Sequence, residues 1–199
     1  MSLKQPNGQA LLDGMREHVR RTEEVIRSVE YAAVAQLTEK LHQAYQAGNR
    51  VFLFGNGGSA ACASHFAEDL GKGIVRDLEH QKRLRVLSLA DSAPYITALG
   101  NDCGYDSIFR QQLQTNAAPG DVAIGISGSG NSPNVLNAVA WAKENGLFTA
   151  GITGFDGGKL RKMVDLSIHF PVMDMEIAEN AHLIVLHLVV GGLRRLINE

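Results

Sequence analysis

Apolar positions in the first quarter of the chain recur at the spacing of an amphipathic helix. Between residues 9 and 48 they fall three, four or seven positions apart, with charged residues between them. Gly48 follows the last of them and predicts the end of the helix. A helical arm over residues 10–48 cannot bury such a stripe alone, so we expect it to pack on the domain or on another chain. The stripe consists of Leu11, Leu12, Met15, Val19, Val25, Ile26, Val29, Val34, Leu37, Leu41 and Tyr45.

After residue 49 the pattern changes to short, continuous apolar runs. Such runs are typical of strands that are covered on both faces. Helical patterns separate them, and one begins at Ser132 and ends at Asn145, before Gly146. Alternation of strands and helices predicts a parallel sheet with helices on both faces, which is a three-layer α/β/α fold. The five runs are Val51–Phe54, Arg85–Leu89, Val122–Ile126, Phe148–Ile152 and Leu166–Phe170, and a last apolar helix is predicted from Ile177 to Ile197.

Length and composition predict one globular domain over residues 1–199, with the arm at 10–48 and the α/β core and C-terminal helix at 49–199. The chain has 199 residues, of which 45% are hydrophobic and 20% are charged, so a sizeable core can form. Its net charge of −2 gives no reason to expect direct binding of nucleic acid. Two cysteines, Cys62 and Cys103, are too few for a disulfide scaffold. With no signal pattern and no run of 18 apolar residues, we expect no membrane partner and a cytoplasmic location.

Two glycine- and serine-rich segments follow the first and third predicted strands. They are Gly55–Ala60, with the sequence GNGGSA, and Ser127–Ser132, with the sequence SGSGNS. In a parallel sheet, ligands bind beyond the carboxyl ends of the strands, where backbone N–H groups and helix N-termini favour anions. The alternative is that both are ordinary strand-to-helix turns. Two hydroxyl-rich loops at strand ends favour a phosphate or sugar-phosphate site, and neither loop matches a nucleotide fingerprint.

Four motifs together resemble the SIS (sugar isomerase) domain family, and within it the phosphoheptose isomerases. The motifs are GNGGSA, HFAEDL, ALGNDCGYD and GISGSGNSPNV, and the likeness covers roughly residues 10–197. The resemblance implies a flavodoxin-like, five-stranded fold, a homotetramer whose active sites form where subunits meet, and a divalent metal, usually zinc, near the sugar. It also implies an aldose–ketose isomerase that converts sedoheptulose 7-phosphate to glycero-manno-heptose 7-phosphate.

The resemblance also implies which residues hold the substrate. The phosphate is assigned to Ser127, Gly128, Ser129 and Ser132, and the rest of the substrate to Asn56, Gly57, Gly58, Ser59, Asn101, Asp102 and Glu179. The usual loop of the family is STSGNS, so Gly128 removes one hydroxyl donor. The neighbouring serines and backbone N–H groups remain to hold the phosphate.

For the chemistry, the resemblance assigns Asp69 as the base and His187 as its partner. The metal positions match His65, Asp69, Glu179 and His187. Asp69 stands where the family usually has glutamate, which draws the carboxylate back by one methylene. Misplacing a base by about 1 Å can cost on the order of 100-fold in rate. Glu179 stands where the family usually has glutamine, and its charge should strengthen a cation site.

Spacing tests these assignments independently. His65 and Asp69 are four residues apart and share one helix face, although an exposed helical contact is the alternative. Glu68 lies about 100° around the helix from Asp69, so it is a poor substitute. Glu179 and His187 are about 12 Å apart along a continuous helix. Either that helix begins after Glu179, or the two ligands come from different subunits. His182, three residues after Glu179, is a rival to His187.

Two other functions remain open. One is a non-catalytic adaptor for the bacterial replication initiator, because some relatives with this tetrameric fold have that role. The other is a protein that only binds a sugar phosphate. Histidine and carboxylate at all the catalytic and metal positions favour the enzyme, whereas the changes at Asp69 and Glu179 favour the adaptor.

Overall fold

The computed structural model of the chain describes residues 8–199, and residues 1–7 of the predicted domain lie outside this range. Its centre is a five-stranded sheet in which every pair of neighbouring strands is parallel, in the order β2-β1-β3-β4-β5. This is the flavodoxin-like order, so the predicted fold is confirmed. The strands are β1 (Arg50–Phe54), β2 (Arg85–Ser88), β3 (Val122–Ser127), β4 (Phe148–Thr153) and β5 (Leu166–His169).

Helices cover both faces of the sheet. One face packs against α2, α3 and α8, whose buried residues include Leu37, Phe66 and Val185. The other face packs against α5 and α6, where Phe109 and Val139 are buried. The helices are α1 (Gly8–Arg27), α2 (Tyr31–Ala47), α3 (Gly58–Glu68), α4 (Ala93–Cys103), α5 (Ile108–Asn116), α6 (Pro133–Glu144), α7 (Leu160–Met163) and α8 (Met175–Asn198).

The predicted strands agree with the observed ones to within one residue at each end, with one difference in burial. All six residues of β3 are buried, as expected for a strand in the middle of a sheet. At the edge of the sheet, β2 exposes Arg85, and Leu87 is 47% exposed. The expectation that this run is covered on both faces was therefore wrong. The exposure of β2 results from its position at the edge of the sheet, which the local sequence does not encode.

The predicted arm is two helices rather than one. The break falls at residues 28–30, where the Ser28 hydroxyl donates to the Val25 carbonyl at 2.7 Å and competes with continued helical bonding. The prediction at Gly48 is confirmed, since it ends α2 in the left-handed conformation with φ 77°. The break lets α2 bury its apolar stripe against the sheet. In contrast, α1 contacts α8 and buries none of its residues, and Arg21 bonds Asp174 at 2.9 Å.

The last helix, α8, begins at the N-cap Asp174, whose carboxylate accepts from the Ile177 N–H at 3.3 Å. Among the described residues it is the one helix long and apolar enough to cross a membrane. Half of its most apolar window is buried inside the fold, as in core helices generally, so this is weak evidence for a membrane span.

His182 lies on the core side of α8 and has no exposed surface. Its ring centre is 6.1 Å from that of Phe170, and within residues 8–199 neither ring nitrogen has a hydrogen-bond partner. The pKa of His182 is lowered to about 4, mainly by burial, and His169 lowers it further. A buried, neutral imidazole among apolar side chains fits a structural role better than the rival functional one.

We predict that His182 makes the fold sensitive to acid. The unfolded chain takes up this proton near pH 6.5, whereas the folded chain does so only near pH 4, so stability is lost as the pH falls between these values. The shift corresponds to roughly 3 kcal/mol. His182→Leu should reduce the difference in free energy of unfolding between pH 7 and pH 4.5, measured by urea denaturation at one protein concentration. His80→Gln, at an exposed position, is the control. Equal pH dependence in the wild type and His182→Leu would contradict the prediction.

Candidate active site

The loops after β1 and β3 meet at the carboxyl edge of the sheet. These strands are neighbours, paired from Val51↔Val122 to Phe54↔Gly125. The chain leaves them toward opposite faces, because α3 packs on one face and α6 on the other. The crevice between such loops is the usual ligand site of this topology. Here it holds a cavity of about 260 Å³, lined by Asn56, Gly57, Gly58, Ser59, Ile126, Ser127, Gly128, Ser129, Ser132, Met175 and Glu179.

The first loop is held in place by a pair of asparagine amides. Asn56 and Asn134 each donate to the other at 2.9 Å, and Tyr105 donates to the Asn56 side-chain oxygen at 3.0 Å. Gly57, at φ 55°, turns the chain into α3. Sequence reasoning missed Asn134 and Tyr105 as site residues. Both lie inside the quoted motifs, but the burial of Asn134, which requires its amide to be hydrogen-bonded, is visible only in the structure.

The second loop is folded on its own serines. The Ser127 hydroxyl accepts from the Gly130 N–H at 3.1 Å and lies 3.4 Å from the Ser132 hydroxyl. Ser132 is the N-cap residue of α6, yet its side chain makes no capping bond. Its hydroxyl therefore remains available at a helix N-terminus, which is a favourable place for an anion.

The loop after β4 and the start of α7 donate backbone hydrogen bonds to the second loop. The Gly154 N–H donates to the Gly128 carbonyl at 2.9 Å, and the Leu160 N–H donates to the Gly130 carbonyl at 3.0 Å. Gly130 has φ 65°, and a Cβ there would overlap the backbone of Gly157. The serine hydroxyls of this loop face the cavity. The two backbone bonds therefore hold the serines in position without a bound ligand.

Among residues 8–199, Glu179 carries the one charged side chain that lines the cavity, and no lysine or arginine lines it. Its carboxylate lies against the backbone of Gly58, where a Cβ would overlap it. Burial raises the pKa of the Cys62 thiol, and Glu179 raises it further. Cys62 is buried, as predicted for a small apolar position. An anion in this cavity must therefore be held by N–H groups and hydroxyls in the presence of a carboxylate.

Met175 fills the space beside Gly128. A Cβ at residue 128 would overlap the Met175 sulfur, so the hydroxyl that the family usually carries at this position would require the end of the Met175 side chain to move. The hydroxyls of this loop are therefore those of Ser127, Ser129 and Ser132. The thioether adds an apolar wall to the cavity.

A second cluster combines two histidines and one carboxylate. Asp69 Oδ2 lies 3.6 Å from His65 Nε2 and 3.4 Å from His187 Nε2. Asp69 opens a π-helical turn, Asp69–Gly73, that continues α3. Turns of this kind often occur at functional sites. Sequence reasoning predicted the contact between His65 and Asp69 from their spacing, but it gave no signal for the π-helical turn.

These three side chains fit a zinc ion. One ligand atom from each lies within 4.8 Å of the others. Tetrahedral ligand atoms about 2 Å from zinc are roughly 3.3 Å apart, close to the two separations from Asp69. Imidazole and carboxylate are ligands that zinc accepts. Both histidines are about half exposed, so the cluster faces outward and can meet a substrate or another chain.

The structure does not bring Glu179 into this cluster. Because α8 begins at Met175, Glu179 and His187 lie on one continuous helix, and the alternative of a helix that starts later is excluded. Eight residues of helix separate them by about 12 Å. Within one chain Glu179 belongs to the cavity and His187 to the cluster. The assignment of Glu179 as a fourth metal ligand stays a prediction, and it requires a neighbouring chain.

Asn101 and Asp102 lie outside both groups in a single chain. They occupy the last turn of α4, are exposed, and bond each other at 2.8 Å. None of the residues of α4 is buried. The segment approaches the cavity through Tyr105, which bonds Asn56. Their assignment to the substrate stays a prediction. Glu68, the neighbour of Asp69, instead pairs with Lys72 at 2.5 Å on the exposed side of the helix.

Comparison with known proteins agrees with this geometry. A family model described as SIS domain matches residues 15–154. The phosphoheptose isomerase of Pelobacter propionicus is 40% identical over 156 residues, which are 78% of this chain and 81% of that protein. The phosphoheptose isomerase of Aneurinibacillus thermoaerophilus is 37% identical over 175 residues, which are 88% of this chain and 84% of that protein.

A solved structure extends the likeness to three dimensions. The phosphoheptose isomerase of Neisseria gonorrhoeae matches with a TM-score of 0.83 at 28% identity, over 94% of this chain and 97% of that chain. Family model, relatives and structure therefore agree, and they confirm the resemblance drawn from the four motifs. The chain belongs to the SIS domain family and, within it, to the phosphoheptose isomerases, which are sugar-phosphate isomerases of the aldose–ketose class.

Proposed function

We propose that the chain converts sedoheptulose 7-phosphate to glycero-manno-heptose 7-phosphate by moving a proton between C1 and C2. The supporting observation is that an anion cavity and a carboxylate–imidazole cluster lie along one helix. Glu179 in the cavity and His187 in the cluster are both on α8, about 12 Å apart. An extended heptose phosphate measures about 9 Å from phosphorus to C2, given single bonds of about 1.5 Å. A substrate of this length can reach from one group to the other.

In this proposal the phosphate lies in the second loop. The hydroxyls of Ser127, Ser129 and Ser132 and the N-terminus of α6 hold it without a basic side chain. The sugar hydroxyls contact the first loop, from Asn56 to Ser59, and the carboxylate of Glu179. Asn101 and Asp102 contribute from the exposed end of α4, across a boundary between subunits.

Proton transfer is assigned to Asp69 and His187. The Asp69 carboxylate removes a proton from C1, and His187 donates one to the oxygen on C2, which gives an enediol. Asp69 then returns its proton to C2, while His187 takes one from the oxygen on C1. No atom is gained or lost. The 3.4 Å between Asp69 Oδ2 and His187 Nε2 lets the two groups act on adjacent carbons.

The cofactor proposed is one divalent ion, zinc, which His65, Asp69 and His187 would hold. His187 would bind it through one ring nitrogen, so that the other carries the proton exchanged with the substrate oxygen. When bound, the ion supplies a positive charge that polarises the carbonyl oxygen of the sugar. A carboxylate has two oxygens, so holding an ion with one leaves the other to accept a proton. Glu179 of a neighbouring chain would complete the ligand set.

We also propose a cytoplasmic homotetramer without direct nucleic-acid or membrane partners. The support is the apolar side of α1, where Leu11, Leu12, Met15 and Val19 are each about half exposed. A patch of that kind on a helix that buries nothing in its own chain marks a protein interface. The exposed His187 and α4 could then be completed by a second chain.

A non-catalytic role is the second candidate, and one observation favours it. The Glu179 carboxylate projects into the cavity proposed for phosphate, and Asp69 has one methylene less than the family's glutamate. Both changes weaken phosphate binding or proton transfer. A chain with this pair could bind a sugar phosphate or the bacterial replication initiator without catalysis.

We predict that phosphate binding depends on hydroxyls. Ser129→Ala combined with Ser132→Ala should raise KM for sedoheptulose 7-phosphate on the order of 100-fold, because hydrogen bonds to a charged group contribute about 1.5–3 kcal/mol each. Steady-state kinetics measures the change. Ser167→Ala is the control, since within residues 8–199 the Ser167 hydroxyl has no hydrogen-bond partner. Unchanged KM in the double variant would place the phosphate elsewhere.

We predict that Asp69 is required for turnover. Asp69→Asn should lower kcat by 100-fold or more, because general acid–base groups typically contribute about 10²–10⁴. Glu68→Gln removes the neighbouring carboxylate and should leave kcat unchanged. NMR of the sugar product measures turnover, and metal analysis of both variants shows whether Asp69 also retains an ion. Removal of the ion by a chelator should abolish activity, and zinc should restore it.

Asp69→Glu separates the two candidate functions. If the wild-type chain is an enzyme, measurable activity should be found with either Asp or Glu at residue 69. A wild type that converts no C5 to C7 ketose phosphate, combined with activity in Asp69→Glu, would establish the non-catalytic function. Full activity in Asp69→Asn would refute the proposed mechanism.

We predict a tetramer held partly by α1. Light scattering after size-exclusion chromatography at micromolar concentration should give four times the mass of one chain. Met15→Glu with Val19→Glu should shift it to smaller species, because each change places a charge on the apolar side of α1. Arg27→Glu, at an exposed position near the end of the same helix, should not. A stable wild-type monomer would contradict both the tetramer and a site shared between subunits.

A further inference from the structure

Two arginines lie side by side at the amino edge of the sheet, opposite the active site. Arg50 begins β1 and Arg85 begins β2, and they are register partners in the parallel pair. Like charges on adjacent positions of neighbouring strands destabilise a sheet. Arg50 is half-buried, so its charge is only partly screened by water. The placement therefore calls for a compensating anion.

The compensation does not come from a carboxylate of the described chain. Within residues 8–199, no acidic side chain pairs with either guanidinium, although nine ion pairs form elsewhere. Asp121 lies close to Arg50, but its two oxygens accept from the backbone N–H groups of Arg50, at 2.8 Å, and Ala118, at 2.9 Å. This carboxylate is used to join two backbone segments.

The guanidinium groups are held in place by neutral acceptors. Arg50 Nη1 donates to the Asn116 carbonyl, and Arg85 Nη1 donates to the Gly48 carbonyl at 3.4 Å. A guanidinium has five N–H donors, so several remain on each arginine. Carbonyl contacts orient the groups without neutralising them. The result is a pair of preoriented, positively charged donors.

Both arginines line a single cavity of about 310 Å³, slightly larger than the one at the active site. Its other walls are Val86, the half-exposed Leu87 and Asn116 at the end of α5. The cavity therefore combines hydrogen-bond donors for an anion with an apolar surface that no described residue covers.

We propose that this cavity binds a phosphate ester of a small metabolite, at a second site separate from the active site. The phosphate lies between Arg50 and Arg85, because planar guanidinium groups match phosphate oxygens. The organic part of the ester lies against Val86 and Leu87. The two ends of β1 are four positions apart, roughly 13 Å, so this ligand cannot also occupy the active-site cavity.

Equilibrium dialysis with radiolabelled inorganic pyrophosphate at low ionic strength tests the site. The protein carries Ser129→Ala and Ser132→Ala, so that the active-site loop is weakened. We expect one pyrophosphate bound per chain, and Arg85→Gln in the same background should weaken binding at least 10-fold. Lys162→Gln, which removes one exposed positive charge at the far side of the sheet, should leave binding unchanged.

Competition experiments identify the class of ligand, and further controls test whether each variant is folded. Ribose 5-phosphate and AMP are added as competitors, and displacement by either supports a sugar phosphate or a nucleotide, respectively. Arg85→Lys keeps the charge but loses the planar fork, and it should bind pyrophosphate more weakly than wild type and more tightly than Arg85→Gln. Circular dichroism melting confirms that each variant is folded. Absence of pyrophosphate binding, equal binding in Arg85→Gln, or displacement by neither competitor would overturn the proposal.

Discussion

The hydrogen-bonded pairing of β1 with β3 is the contact on which both halves of the active site depend. These strands are 71 positions apart at Val51↔Val122, and the parallel register places their carboxyl ends side by side. Each strand then passes into a helix on a different face of the sheet, which opens a crevice between the loops. The asparagine pair of Asn56 and Asn134 joins the first loop to the start of α6, which follows the second loop. Neither loop forms a cavity alone.

The second organising element is α8, which carries one residue of the cavity and one residue of the histidine–carboxylate cluster. Its buried side packs on the sheet along its length and includes His182, so the helix cannot shift without disturbing the core. Its other positions present Glu179 to the cavity and His187 to Asp69. A rigid helix therefore sets the distance between the cavity and the cluster of His65, Asp69 and His187.

Two compensations accompany the departures from the family pattern. Gly128 lacks a hydroxyl, and the end of the Met175 side chain lies in the space beside it. Glu179 adds a negative charge, and Gly58 leaves room for its carboxylate beside the N-terminus of α3, where a helix dipole favours negative charge. At residues 128 and 179 a neighbouring residue accommodates the change, and the cavity remains open.

The sequence by itself determined the strands, the loops after them and the contact of His65 with Asp69, because these features arise from local periodicity and spacing. Family resemblance added His187. Tertiary structure alone decided that α1 and α2 are separate helices, that β2 is an edge strand with Leu87 exposed, and that Glu179 lies apart from His187. It also decided that Asn134 and Tyr105 support the first loop. These outcomes depend on which distant segments pack together, and no local pattern of apolar residues records that choice.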